Sequence, residues 1–88
     1  MRYRIELSPA AERDLDALPD DVYRRIRPRI DALASNPRPQ GVKKLRGTEN
    51  LYRIRIGDYR VVYQVGDKVL RVLIVRVKHR RDAYRGEL

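Results

Sequence analysis

The stretch LYRIRIGDYRVVYQV, residues 51–65, has the residue pattern of a complete β-hairpin. Apolar and tyrosine side chains alternate with polar ones before and after Gly57-Asp58, which is typical of half-buried strands. Glycine adopts positive φ without a Cβ clash, so this pair suits a two-residue hairpin loop. We therefore predict strands over 51–56 and 59–65, joined by a tight turn.

Counting outward from that loop places Arg55 directly opposite Arg60. One side of the hairpin then faces a core and carries Tyr52, Ile54, Ile56, Tyr59, Val61 and Tyr63. The opposite side carries Arg53, Arg55, Arg60, Val62 and Gln64. Like charges that face each other across a sheet destabilise it, so the pair favours an anion-binding face over a solvated surface. Phosphate suits this face because guanidinium groups offer planar, bidentate donors.

A second Gly-Asp pair, residues 66–67, predicts another two-residue loop and a last strand over 68–77. This register places Arg71 opposite Val62 and adds it to the basic face. A short strand is expected over 42–45. The C-terminal half is therefore expected to form a three- to four-stranded antiparallel meander.

The N-terminal residues change from a strand pattern to a helix pattern. Residues 2–7 alternate as a half-buried strand does. Ser8-Pro9 supplies an N-cap and a first-turn proline for a short helix, which Pro19 ends.

A second helix follows, with Asp20 or Asp21 as its predicted cap. Pro28 lies inside this helix and should kink it or cost it a hydrogen bond. The predicted fold class is α+β, with a strand, two N-terminal helices and the meander in one domain over 1–88.

The net charge of +9 is spread unevenly along the chain. Residues 1–37 hold 7 Lys or Arg and 7 Asp or Glu, whereas residues 38–88 hold 14 and 5. A basic half beside a neutral half indicates a polyanion-binding face, and nucleic acid is the commonest polyanion for a small basic domain.

Several classes of protein are excluded or disfavoured by composition. The chain has no cysteine, which excludes disulfides and thiolate metal sites. The start, MRYRIEL, has no apolar signal core, and the run VLIV at 72–75 is too short to cross a membrane. We expect a soluble, cytoplasmic protein that does not bind membranes.

Further cations flank the hairpin and are candidates for positioning contacts to a phosphate backbone. Lys43, Lys44 and Arg46 precede it, and the C-terminal segment adds Arg80, Arg81 and Arg85. The same segment holds His79, a candidate base, and Tyr84, whose ring could stack on a nucleotide. A lone histidine is more often structural, and Tyr84 could instead pack at the C-terminus.

Five blocks of sequence resemble the RelE/ParE toxin superfamily of bacterial and archaeal toxin–antitoxin modules. They are SPAAERDLDAL (8–18), NP (36–37), KKLRG (43–47), YRIRIGDYRVVY (52–63) and HRRDAYR (79–85). The resemblance implies a compact toxin with two N-terminal helices on a twisted antiparallel sheet. RelE-like members enter the ribosomal A site and cut mRNA, with attack of the 2′-hydroxyl on the adjacent phosphate.

The resemblance also implies roles for individual residues. Arg60 corresponds to an arginine that contacts the scissile phosphate, and Arg80 to one that supports the transition state or leaving group. Tyr84 corresponds to a tyrosine that orients the nucleotide. The catalytic candidates are thus Arg55, Arg60, His79, Arg80 and Tyr84, and the RNA-binding candidates are Lys43, Lys44, Arg46, Arg53, Arg71, Arg81 and Arg85. No metal or other cofactor is implied.

Arg53 and Arg55 stand where ribosome-dependent members often have lysines, and arginine stays protonated in proteins. The proton therefore goes to His79 or Tyr84, or the ribosome supplies part of the chemistry; otherwise this member cuts weakly. Two other functions stay open: inhibition of DNA gyrase, as in the ParE branch, and non-catalytic nucleic-acid binding. A toxin of either branch implies a cognate antitoxin, expected to be an acidic, amphipathic segment that pairs with the arginines.

Overall fold

Five strands and three helices follow one another in the computed structural model, which describes residues 2–45, 47 and 50–83. They are β1 (Arg4–Leu7), α1 (Pro9–Asp16), α2 (Asp20–Ala32), β2 (Lys43–Lys44), β3 (Leu51–Ile56), β4 (Tyr59–Gly66), β5 (Arg71–His79) and α3 (Arg80–Ala83). The strands form one sheet in the order β1-β5-β4-β3-β2. Strands β2 to β5 are antiparallel, and β1 joins the edge of the sheet parallel to β5. This confirms the α+β prediction.

The β3–β4 hairpin has the register that the sequence predicts. Ile56 pairs with Tyr59 and Arg55 with Arg60, so Gly57-Asp58 is a two-residue loop. Gly57 has a φ of 59°, in the left-handed region that glycine tolerates.

The β4–β5 connection differs from the prediction. Residues 67–70 form the turn, and Arg71 pairs with Gly66 instead of Val62. Val62 pairs with Arg76 but Tyr63 pairs with Ile74, so β5 carries an extra residue at a bulge.

An ion-pair network around Asp67 stabilises the longer turn. The Arg38 guanidinium donates to both carboxylate oxygens of Asp67, at 3.1 and 2.8 Å, and the Tyr3 hydroxyl donates at 2.7 Å. These hydrogen bonds lower the pKa of the Asp67 carboxyl. Asp67 thus holds the turn against the loop after α2 and against β1.

The first helix begins as the sequence predicts, whereas the second does not. The Ser8 hydroxyl accepts a hydrogen bond from the Ala11 N–H at 3.0 Å and caps α1. In α2, Pro19 is the N-cap residue, and no side chain of the described residues caps the helix. Asp20 and Asp21 instead lie in the first turn, where negative charge favours the helix dipole.

Pro28 lies inside α2, and the helix continues past it to Ala32. Proline has no N–H, so this position gives up one helical hydrogen bond. Within the described residues, no helix is both long and apolar enough to cross a membrane.

Both long helices pack on one face of the sheet and enclose the core. The core includes Ala11, Leu15, Ile26, Ile30, Leu33, Ile54, Val61, Tyr63, Val65, Val72, Ile74 and Val77. Tyr63 is fully buried, and its hydroxyl donates to the Pro37 carbonyl at 2.7 Å. The opposite face of the sheet carries the arginines, and α1 and α2 do not cover it.

Candidate phosphate-binding site

A cavity of about 160 Å³ lies beside the β3–β4 turn, on the arginine side of the hairpin. Its lining residues are Arg55, Gly57, Asp58, Arg60 and Arg80. Strands β3 and β4 supply two of the guanidinium groups, and the start of α3 supplies the third. Three guanidinium groups around one small cavity are suited to an oxyanion such as phosphate.

Among the residues that the structure describes, Arg60 is the charged residue that the fold buries, with 5% of its surface exposed. Its neighbours in register on the two adjacent strands are Arg55 and Lys78, both cations. Burial of a charge is costly, and a guanidinium group cannot shed its proton to avoid the cost. The side chain therefore sits in a fixed place at the wall of the cavity, and its charge is retained there.

Arg80 is attached to the turn by its backbone. Its N–H donates to the Asp58 carbonyl at 2.7 Å, which fixes the start of α3 against the β3–β4 loop. Its Nε lies 3.8 Å from Asp58 Oδ1, with both side chains mostly exposed. Such an exposed pair contributes little stability, so the Arg80 guanidinium stays available to a ligand.

The basic surface continues from the cavity across the sheet. Arg53 lies two residues before Arg55 on the same face of β3, and Lys43 pairs with it on the edge strand. Lys44 pairs with Tyr52, so it faces the helix side of the sheet. Arg81 is exposed at the start of α3.

Two candidates from the sequence lie away from the cavity. The His79 ring packs edge-on against Tyr59 at 5.1 Å between centroids, on the helix side of the sheet. Its Nδ1 accepts a hydrogen bond from the Arg81 N–H at 3.3 Å. Arg71 lies on the face opposite the core, as expected, but it pairs with Gly66 instead of Val62 and lies 3.8 Å from the Glu6 carboxylate near the other edge.

Arg46, Tyr84 and Arg85 lie outside the described residues. Asp58 and Lys78 were not named as site residues from the sequence. Asp58 could have been found, since a residue in a two-residue loop stays beside the strand ends. Lys78 could not, because its pairing with Arg60 depends on the bulge in β5.

Arg76 is also basic but is engaged elsewhere. Its guanidinium donates to both oxygens of Asp14 in α1, at 2.8 and 3.1 Å, and the Val77 N–H donates to the same carboxylate at 2.9 Å. Burial alone would raise the pKa of Asp14, but these hydrogen bonds and the nearby positive charges outweigh it, so the pKa is lowered. Arg76 therefore anchors α1 to β5.

The described residues contain no group of three or more His, Asp or Glu placed to hold a metal ion. The residues that line the cavity offer positive charge and hydrogen-bond donors from arginine, with one carboxylate at the rim.

Comparison with known proteins gives a consistent result. A family model described as the ParE toxin of a type II toxin–antitoxin system, parDE, matches residues 5–84. Toxin RelE of Mycobacterium tuberculosis is 33% identical over 84 residues, which cover 94% of this chain and 87% of that protein.

Solved structures show the same similarity. A chain of the archaeal RelE–RelB complex from Pyrococcus horikoshii OT3 has a TM-score of 0.80 and 36% identity, with 100% of both chains covered. A chain of the intact Escherichia coli RelBE toxin–antitoxin complex has a TM-score of 0.78 and 26% identity, covering 88% of this chain and 95% of that one. With its helices, hairpin and arginines in the arrangement described above, this chain belongs to the RelE/ParE superfamily and is a RelE-like toxin of the type II toxin–antitoxin class.

Proposed function

We propose that this toxin is a ribosome-dependent mRNA endoribonuclease and that the cavity holds the scissile phosphate. The observation that carries the proposal is the convergence of Arg55, Arg60 and Arg80 on one cavity, with Arg60 buried in its wall. The proposal requires a cytoplasmic protein, because its substrate is mRNA in the A site of a translating ribosome.

The proposed reaction is attack of a 2′-hydroxyl on the adjacent phosphorus with departure of the 5′-oxygen. Negative charge builds up on the phosphoryl oxygens in the transition state, so catalysis depends on fixed positive groups around them. Arg60 is fixed by burial, and the more exposed Arg55 and Arg80 complete the set from either side. No metal ion is needed for this charge stabilisation.

The remaining cations on this face have positions that suit contacts with the flanking RNA. Lys43 and Arg53 extend the positive surface toward the β2 edge, and Lys78 extends it toward β5. Contacts of this kind bind the phosphate backbone without reading sequence. The ribosome would then determine where the toxin meets the message.

An antitoxin partner is part of the proposal. The similar proteins from Pyrococcus horikoshii and Escherichia coli are toxin–antitoxin complexes, RelE with RelB. We infer that this toxin also has a cognate antitoxin, with an acidic, amphipathic segment that covers the arginine face. Carboxylates on that segment would occupy the guanidinium groups that RNA needs.

Inhibition of DNA gyrase is the second candidate, since the matching family model is that of ParE toxins. Such an activity needs a protein-binding surface and no RNA-cleaving cavity. A supercoiling assay with purified gyrase separates the two: inhibition with intact mRNA favours the ParE type, and cleaved mRNA with normal supercoiling favours the RelE type.

The proposal is tested by cleavage of a defined mRNA on purified ribosomes stalled with a vacant A site. We expect Arg60→Ala and Arg80→Ala to lower the single-turnover cleavage rate by about a hundredfold or more, because each removes a group that neutralises the transition state. Arg27→Ala is the matched control, since it removes one cation from α2, where Arg27 pairs only with Asp31 in the described structure. The control should cleave as the wild type does.

Arg60→Lys is added because loss of a buried side chain can unfold a small domain. Thermal unfolding of each variant identifies those that are folded at the assay temperature. Wild-type cleavage rates in folded variants of both Arg60 and Arg80 would overturn the proposal.

A further inference from the structure

Asp58 is a carboxylate at the rim of a cavity otherwise lined by arginines and glycine. The turn does not require it. Positive φ is needed at Gly57, the first loop position, and Asp58 is absent from the described residues with positive φ. Such a turn accepts many residues at its second position. Aspartate is a common residue after glycine in such a loop, so the role of Asp58 has to be judged from its contacts at the cavity.

The Asp58 side chain also keeps its acceptor capacity. Its Oδ1 lies 3.8 Å from Arg80 Nε, which is too long for a hydrogen bond, and the side chain is 66% exposed. Among the acceptor atoms of Asp58, only the backbone carbonyl accepts a hydrogen bond from the described part of the chain, and its donor is the Arg80 N–H. Both carboxylate oxygens can therefore accept a proton or hydrogen bond from a ligand in the cavity.

The proposed reaction needs such an acceptor. Arginine has no lone pair to offer, so Arg55, Arg60 and Arg80 cannot take up the proton of an attacking hydroxyl. His79 faces the other side of the sheet, against Tyr59. Among the described residues that line the cavity, Asp58 is the titratable side chain that has acceptor atoms.

We propose that Asp58 is the general base of this toxin, an inference that rests on the proposed ribonuclease function. Its carboxylate takes the proton of the 2′-hydroxyl while the 2′-oxygen–phosphorus bond forms and the bond from phosphorus to the 5′-oxygen breaks. The products are a 2′,3′-cyclic phosphate and a 5′-oxyanion, which takes a proton from water. Asp58 then returns its proton to solvent.

The test compares single-turnover cleavage on stalled ribosomes by the wild type, Asp58→Asn and Asp58→Glu. A side-chain amide keeps the size of the carboxylate but is not a useful base. We expect Asp58→Asn to cleave about a hundredfold or more slowly, and Asp58→Glu to recover part of that loss. Binding to the ribosome should not weaken, because removal of a negative charge favours contact with RNA.

Asp67→Asn is the matched control. Asp67 also lies in a turn and is similarly exposed beside an arginine. Its substitution by asparagine changes the net charge by the same amount, but Asp67 lies outside the cavity. We expect this variant to cleave at the wild-type rate once its folding is confirmed by thermal unfolding. Asp58→Ser replaces Asp58→Asn if the latter is unfolded.

Combination with Arg80→Ala distinguishes a base from a residue that only positions Arg80. A base still acts when Arg80 is absent, so Asp58→Asn should lower the residual rate of Arg80→Ala further. A positioning residue acts through Arg80 and should have no added effect in that background. Absence of an added effect would overturn the proposal.

Failure of the inference and failure of the proposed function give different results. If the wild type cleaves and Arg60→Ala does not, but folded Asp58→Asn stays within about threefold of the wild type, only the role of Asp58 is overturned. If the wild type does not cleave mRNA on ribosomes at all, both are overturned.

Discussion

Arg60 is a cation held inside a small protein, with Arg55 and Lys78 as its neighbours on the adjacent strands. Strand alternation predicts which face it lies on, but it predicts a solvent-exposed side chain. The burial depends on tertiary packing at the end of the sheet. A buried charge lowers stability unless its surroundings compensate, so such residues are concentrated at functional sites. Arg60, which the sequence pattern selects as a site residue, is thus also the residue whose burial costs the most stability.

Asp14 gives a prediction about pH and stability. Its folded-state pKa is lowered, so its contribution to folding is present above the ordinary carboxyl pKa of about 4 and is lost as the pH falls through the lower folded value. We expect Asp14→Asn to lower the free energy of unfolding at pH 7 by roughly 1–3 kcal/mol, because Arg76 and the Val77 N–H lose a charged acceptor. The difference from the wild type should shrink at pH 3. Urea unfolding at both pH values measures it.

The control for this prediction is Asp31→Asn. Asp31 is mostly exposed and pairs with Arg27 on one helix, a type of pair worth about 0.5 kcal/mol or less. The Asp14 contacts do not act as described if both variants lose the same free energy of unfolding. The same holds if the loss for Asp14→Asn is as large at pH 3 as at pH 7.

The two hairpins show what can be predicted about an element from sequence. The β3–β4 register follows from alternation and from Gly57-Asp58, and it places Arg53, Arg55 and Arg60 correctly. The β4–β5 register does not follow. Gly66 stays in the strand ladder and Leu70 takes the positive φ, of 53°, which is uncommon for leucine.

The longer turn moves Arg71 away from the site, because Arg71 pairs with Gly66. The bulge in β5 then shifts the later pairs by one residue and places Lys78 opposite Arg60. Neither feature has a residue signature, since a bulge at Val75 and a leucine at positive φ depend on tertiary contacts. The helices were easier to predict, because Ser8-Pro9 and the apolar spacing act locally. Only the cap of α2 was wrong there.

Gly57→Ala tests the turn that orders the site. The φ of 59° strains any residue with a Cβ atom, so we expect a loss of about 1–2 kcal/mol in the free energy of unfolding, measured with urea. Lys68→Ala is the control, since Lys68 is exposed in the other turn and is not among the described residues with positive φ. It should change stability by less than about 0.5 kcal/mol. Equal stability of Gly57→Ala and the wild type would contradict the assigned turn.

At the scale of the whole molecule, charge and fold divide the protein in the same way. Residues 1–37, which include both long helices, have no net charge, and the +9 comes from residues 38–88. The helices cover one face of the sheet, and the other presents Lys43, Arg53, Arg55, Arg60 and Lys78. A polyanion is therefore attracted to one side of the protein, where the cavity lies.

Two adjacent lysines test whether this polarity matters. Lys43 lies on the arginine face and Lys44 on the helix side, although both are exposed and next to each other. We expect Lys43→Ala to weaken binding to a single-stranded RNA and to reduce the slope of log affinity against log salt by about 0.7, the value for one phosphate contact. Lys44→Ala should change both less. A KCl titration by fluorescence anisotropy measures this, and equal effects of the two variants would contradict a one-sided RNA surface.

Mapping of mRNA 5′ ends in cells that express the toxin tests whether the arginine cavity cuts mRNA. We predict new 5′-hydroxyl ends inside translated codons with the wild type, and their loss with folded Arg60→Ala. Intact mRNA in cells whose growth is arrested by the wild-type toxin, or the same cuts with folded Arg60→Ala, would show that the arginine cavity does not cut mRNA.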